Sequence, residues 1–253
     1  MLRRHFTTSI ILTVFVLVFL TLYLLVVYAI GQVAFKSSAD GSFISRNGQV
    51  VGSRLIGQAF TNETGEALPQ YFQSRPSETE EHAYNASISG ASNFGPGSAK
   101  LIGFVPGFNT PSKTNPFATK EEPYCVPTNE KGAAVTEPEP GEKLAKKNGS
   151  YVCDSETIPE RVKAYRELNE LPASVRVPVD AVTASASGLD PEISIANADL
   201  QAPRVAKVRK LPAPQVLALV KKYTHSRSLG FLGERGVNVL ELNLALDELQ
   251  KTG

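Results

Sequence analysis

From Thr8 to Ile30 the chain shows no alternation of polar and apolar positions; chiefly Ile, Leu, Val and Phe follow one another without a charge. As a helix this run of about 23 residues reaches roughly 34 Å, enough to cross a bilayer core. The pattern predicts a transmembrane helix over 8–30. Arg3 and Arg4 lie just before it, so the positive-inside bias predicts a cytoplasmic N-terminus at 1–7 and an extracytoplasmic remainder at 31–253. A cleavable signal peptide would carry a shorter apolar core and a small-residue cleavage site, and Tyr28-Ala29-Ile30-Gly31 is a poor one. The span contains no Asp, Glu, Lys, Arg or His, the groups that mark ion pathways and proton relays inside membranes. It also lacks a Gly-x-x-x-Gly face for tight self-pairing. It reads as an anchor, or as a helix packed against other subunits.

Beyond the anchor the periodicity changes several times. Phe43 to Val51 alternates around Asn47-Gly48, which suits a two-residue hairpin turn, and the second strand is expected to continue through Leu55–Phe60. Thr157-Ile158-Pro159-Glu160 has capping-box spacing, followed by Val162, Tyr165 and Leu168 at helical intervals. Val175, Val177 and Val179 alternate as a short strand, which Pro178 demotes to a sheet edge. Pro203 is expected to open one helix (Val205, Val208, Leu211) and Pro214 another (Val216, Leu219, Val220, Tyr223). Val237 to Leu240 reads as strand, and Leu242, Ala245, Leu246 and Leu249 return to helical spacing. The fold class is a single N-terminal transmembrane helix plus a mixed α/β (α+β) extracytoplasmic domain, its helices concentrated in the C-terminal half.

Composition adds one feature to this picture. From Gly90 to Asp154 turn formers dominate and apolar periodicity nearly vanishes, so a loop-rich insertion is expected at about 102–155. The two cysteines, Cys125 and Cys153, belong to that stretch. In an oxidising compartment they suggest one disulfide, contributing on the order of 3 kcal/mol through loop entropy; two unpaired thiols are the alternative. Two cysteines with no nearby histidine do not complete a tetrahedral metal set. With 26 basic and 25 acidic residues, net charge is +1, and no basic stripe interleaved with aromatics points to nucleic acid.

Catalytic constellations are missing. Of three histidines, His5 precedes the anchor, His82 reads as a solvated loop residue, and His225 as a cation past a helix end. Ser185 and Ser187 lack the flanking glycines of a nucleophile elbow, and there is no phosphate loop or zinc-binding His-Glu-x-x-His. Three segments are nonetheless too particular for a spacer: Tyr71–Ser77 leading to Tyr84-Asn85, Ser89–Pro96, and Val177–Pro191. Their small residues and turn formers permit close backbone approach, either within the domain, around Arg75 and Asp190, or to a partner surface. The partner-contact candidates are Arg75, Ser89, Asn93, Ser185, Ser187, Asp190 and Asn238.

Those segments, with Gly52–Phe60 and Leu229–Asp247, resemble the KdpC family, the C subunits of the bacterial high-affinity potassium-transporting P-type ATPase. The resemblance covers the anchor, the region to about Leu101 and the stretch from about Thr157 onward. Two departures stand out: the insertion, longer than the family usually carries, and Ala91 where the family pattern has glycine. The resemblance implies a non-catalytic accessory subunit assembled with a channel-like potassium-translocating subunit (KdpA), an ATP-hydrolysing subunit (KdpB) and a small single-helix subunit (KdpF). ATP and potassium are then handled by the complex, with no cofactor expected on this chain. The family is described as stabilising the complex and promoting ATP binding by the catalytic subunit. With only 1–7 expected in the cytoplasm, such an effect would pass through coupling between subunits. The alternative is a membrane-anchored extracytoplasmic sensor or solute-binding module.

Overall fold

The computed structural model of the protein describes residues 2–79, 82–91, 98, 126–135, 143–147, 150–154 and 157–252. Most of the insertion lies outside these residues, as do Asn93 and Cys125.

The apolar run forms α1 (Leu2–Ala34), which extends past the expected bounds at both ends because nothing in Arg3–Thr7 or Gly31–Ala34 breaks a helix. Every side chain from Arg3 to Ile30 is exposed. The hydroxyls of Thr7, Thr8, Ser9 and Thr21 each donate to the carbonyl four residues back. A helix apolar on all sides, with these four hydroxyls satisfied internally, suits hydrocarbon as solvent. It is long and apolar enough to cross a membrane.

After α2 (Lys36–Ala39), β1 (Phe43–Arg46) pairs antiparallel with β2 (Gln49–Ser53). Asn47 and Gly48 both have positive φ, 51° and 78°, as the predicted turn requires. The expected continuation through Leu55–Phe60 does not occur. Ser53 Oγ accepts from Leu55 N at 3.1 Å and donates to the Gly41 carbonyl at 2.7 Å, turning the chain at the end of β2. The chain falls into two units, Met1–Leu55 and Ile56–Gly253.

In the second unit, β3 (Lys146–Lys147) and β4 (Ser150–Tyr151) form a minimal hairpin. Four helices follow: α3 (Ile158–Leu168), α4 (Ile195–Arg209), α5 (Ala213–Lys222) and α6 (Val239–Thr252). Between them, β5 (Glu192–Ser194), β6 (Thr224–His225) and β7 (Gly236–Asn238) make an antiparallel sheet in the order β5-β7-β6. The N-cap half of the capping box forms: Thr157 Oγ1 accepts from Glu160 N at the start of α3, while Thr157 N donates to Asp154 O, and Tyr165 is buried on the helix's inner face. α5 follows Pro212 and buries Val216 and Val220.

Three expectations change. Pro203 does not open a helix but sits exposed within α4, which begins where Ser194 Oγ accepts from Asn197 N at 3.1 Å. Of the face assigned from Pro203, Val205 is fully buried while Val208 is solvent-facing. The Val175–Val179 strand is absent, and a 3-10 turn at Val179–Ala181 follows Pro178 instead. The strand over Val237–Leu240 stops at Asn238, whose Oδ1 accepts from Glu241 N at 3.0 Å and caps α6.

The core brings together Ile193 and Val237 from the sheet with Ala202, Val205, Val216, Val220, Leu242 and Leu246 from three helices, and closes over Phe72. Each fully buried Val, Leu or Phe side chain contributes about 1.5–3 kcal/mol.

Candidate functional site

Residues 69–77 form an irregular strap that pairs with no strand among the described residues, so its backbone groups need other partners. Side-chain amides supply them. Asn243 of α6 accepts from Phe72 N and donates to Phe72 O, both at 2.9 Å. Gln201 of α4 does the same for Gln73, at 2.7 and 3.1 Å. Arg204, 5% exposed, donates to the carbonyls of Pro69 and Tyr71, to Asn169 Oδ1 and to Gln201 Oε1. Burial pulls its guanidinium down to about 10. Arg209 donates to Gln70 O and Asp247 and lies over the Tyr71 ring.

The far end of the strap meets the loop at 183–190. Arg75 Nη1 donates to Asp190 Oδ2 at 3.0 Å, and Nη2 to the Ala184 carbonyl at 3.2 Å. Tyr84 Oη donates to the Arg75 and Asp190 carbonyls at 3.0 and 3.3 Å, and burial pushes its phenol up to about 12. Ser77 Oγ donates to Gly188 O at 2.7 Å, and Gly90 N to Ser187 O at 2.9 Å. Gly188 has φ +68°, and a Cβ there would lie 2.6 Å from the Gly90 carbonyl, so only glycine fits this crossing. Ala91 is not among the described residues of positive φ, so its methyl adds no strain of that kind.

Thus two of the three singled-out segments are joined to each other and to the described start of the third. Arg75 and Asp190 pair within the domain; Ser187 accepts from Gly90 N and from the exposed Ser89 hydroxyl through its carbonyl. Ser185 and Asn238 are interior, 5% and 1% exposed, so neither side chain reaches an outer surface. Cys153 is disulfide-bonded. His225 lies in β6, just past the end of α5 as expected, with Nδ1 2.7 Å from Glu192 and Nε2 3.5 Å from Glu241.

A cavity of about 500 Å³ opens beside the strap, lined by Gln73, Arg75, Tyr165, Leu168, Asn197 and Gln201 among others. Its amides and the Tyr165 hydroxyl already bond to one another or to the strap. Arg75 Nε is buried with no hydrogen-bond partner among the described residues. Sequence reading missed Gln201, Arg204, Arg209 and Asn243, the side chains that hold the strap. A polar Asn between Leu242 and Ala245 on the buried face of a helix was the available signal.

An apolar helix of membrane-spanning length is followed by a domain whose central polar side chains hydrogen-bond its own backbone. The family model of the K+-transporting ATPase c chain, KdpC, matches residues 6–129 and 120–248. The chain is 41% identical over 238 residues to the potassium-transporting ATPase KdpC subunit of Mycobacterium tuberculosis (strain H37Rv), 94% of each chain. It is 40% identical over 249 residues to that of Methylococcus capsulatus, 98% of this chain and 99% of the relative. This chain belongs to the KdpC family. Such coverage of both partners means that these relatives match it in length, so the extra length is not peculiar to this chain.

Proposed function

We propose that the chain is a non-catalytic accessory subunit of an ATP-driven potassium uptake pump, anchored by α1 with 1–7 in the cytoplasm and 31–253 outside. Its role is to hold the complex together and cover the potassium entrance, and any effect on ATP binding by the catalytic subunit passes through subunit coupling. One observation carries this reading: Arg204, Gln201, Asn243 and the Arg75–Asp190 pair direct their hydrogen bonds inward, fixing a shape. An enzyme site instead presents a base and a nucleophile to a substrate. The channel-like, ATP-hydrolysing and single-helix subunits (KdpA, KdpB, KdpF) are the partners. Among the contact candidates, Ser89 keeps an exposed side chain, while Ser185 and Asn238 act from inside. A Cys125–Cys153 bridge closes the insertion.

Mild detergent extraction of the tagged chain tests this. A multi-span protein and a P-type ATPase should co-purify. Recovery of a lone chain with its own hydrolytic activity would overturn the reading.

A further inference from the structure

Just past the apolar run the chain reverses. Phe35, at φ −133° and ψ 35°, separates α1 from α2, and α2 folds back toward the last turn of α1. Residues eight positions apart lie about 12 Å apart in a straight helix. Here the Ala39 methyl comes 3.8 Å from where a Cβ on Gly31 would sit, and Gln32 Nε2 donates to Asp40 Oδ1 at 3.2 Å. The β1–β2 hairpin is tied to this reversal through its backbone. Ser42 N donates to Ser37 O at 2.7 Å, and Arg54 N to Ser42 O at 3.1 Å. With the Ser53 hydroxyl bonded to Gly41 O, the hairpin is rooted beside Gly31 and Gln32, the first residues after the apolar run. Its apolar side chains are uncovered. Val33 and Phe35 at the reversal, with Phe43, Val50 and Leu55 in and after the hairpin, are each 60% exposed or more.

We propose that the β1–β2 hairpin lies in the headgroup layer of the bilayer that α1 enters, with these apolar side chains inserted between lipids. This goes beyond the subunit reading and rests on one part of it, α1 as the anchor. Position argues for lipid. The headgroup layer extends roughly 5–8 Å beyond the hydrocarbon on each side. A helix advances only about 3 Å over Gly31 and Gln32, so a module rooted there starts within that layer. The fold-back fixes the hairpin to α1, and the span itself therefore delivers these side chains to the surface. Charge agrees with position. From 31 to 55 there are three cations, Lys36, Arg46 and Arg54, and one anion, Asp40, a net charge of +2. Exposed apolar groups with an excess of cations are the make-up of segments that lie in an anionic interface.

The test uses the full chain assembled with the other subunits of the pump in native membranes, with p-benzoylphenylalanine placed at position 43. Illumination should join the chain to lipid, with lipid adducts at least fivefold more abundant than adducts to another subunit. Adducts chiefly to a subunit would assign the hairpin to a protein recess and overturn the proposal, as would the absence of lipid adducts. A second measurement needs only this chain, which has no tryptophan. Phe43→Trp, reconstituted in vesicles of phosphatidylcholine and phosphatidylglycerol, should emit to the blue of tryptophan in water. Iodide should quench it at least threefold less than the free amino acid. Quenching as in water, from a chain that resists alkaline carbonate extraction, would sink the hairpin's placement and leave the anchor standing. Release of the wild-type chain by carbonate would sink the anchor, and the proposal with it.

Discussion

Tyr84 shows at the scale of one residue how the loops are locked. Its hydroxyl is shared between the carbonyls of Arg75 and Asp190, and its ring is buried. Burial raises the phenol from 10.0 to about 12, so between those values the folded state keeps a proton that the unfolded chain has lost. The stability it contributes is full below pH 10 and is lost as pH rises to about 12. Tyr84→Phe should cost about 1 kcal/mol at neutral pH through the lost hydrogen bonds. The gap between wild type and variant should then close in urea unfolding repeated at pH 11. A gap of constant size would mean that the phenol titrates alike in both states. Arg75 and Asp190 were legible as a meeting point because turn formers and small residues surround both.

At the scale of elements, the clamp on the strap matters most. Asn243→Leu keeps the volume and apolar character of α6 but leaves the Phe72 N–H and C=O buried without partners. Each orphaned group costs about 1–3 kcal/mol, so a loss of roughly 2–5 kcal/mol is expected in denaturant unfolding. A loss under 1 kcal/mol would mean that water replaces the amide. This clamp also marks where sequence reading stopped. Caps and turns such as Thr157, Asn47-Gly48 and the apolar stripes of α5 and α6 rest on neighbours within a few positions, and those were legible. The Pro203 expectation failed because proline's preference for a first turn competed with a stronger local signal, the Ser194 cap, nine positions upstream. Asn243 and Phe72 are 171 positions apart, and Arg204 and Tyr71 are 133 apart. No local period encodes such pairs.

At the scale of the whole molecule, side of the membrane and redox state can be read together. In right-side-out membrane vesicles, a membrane-impermeant maleimide should label Cys125 and Cys153 only after an impermeant reductant is added. Labelling without reductant would remove the Cys125–Cys153 bridge. Labelling only after the vesicles are broken would reverse the proposed orientation and restore direct contact with cytoplasmic nucleotide.

The strap has a further consequence, in the order of synthesis. Residues 69–77 leave the ribosome long before the helices that clamp them, and Asn243 follows Phe72 only after 171 positions. Until α6 emerges, Phe72 has neither its amide partner nor a complete apolar enclosure. The nascent domain must therefore wait, tethered and open, for α6 before it can close.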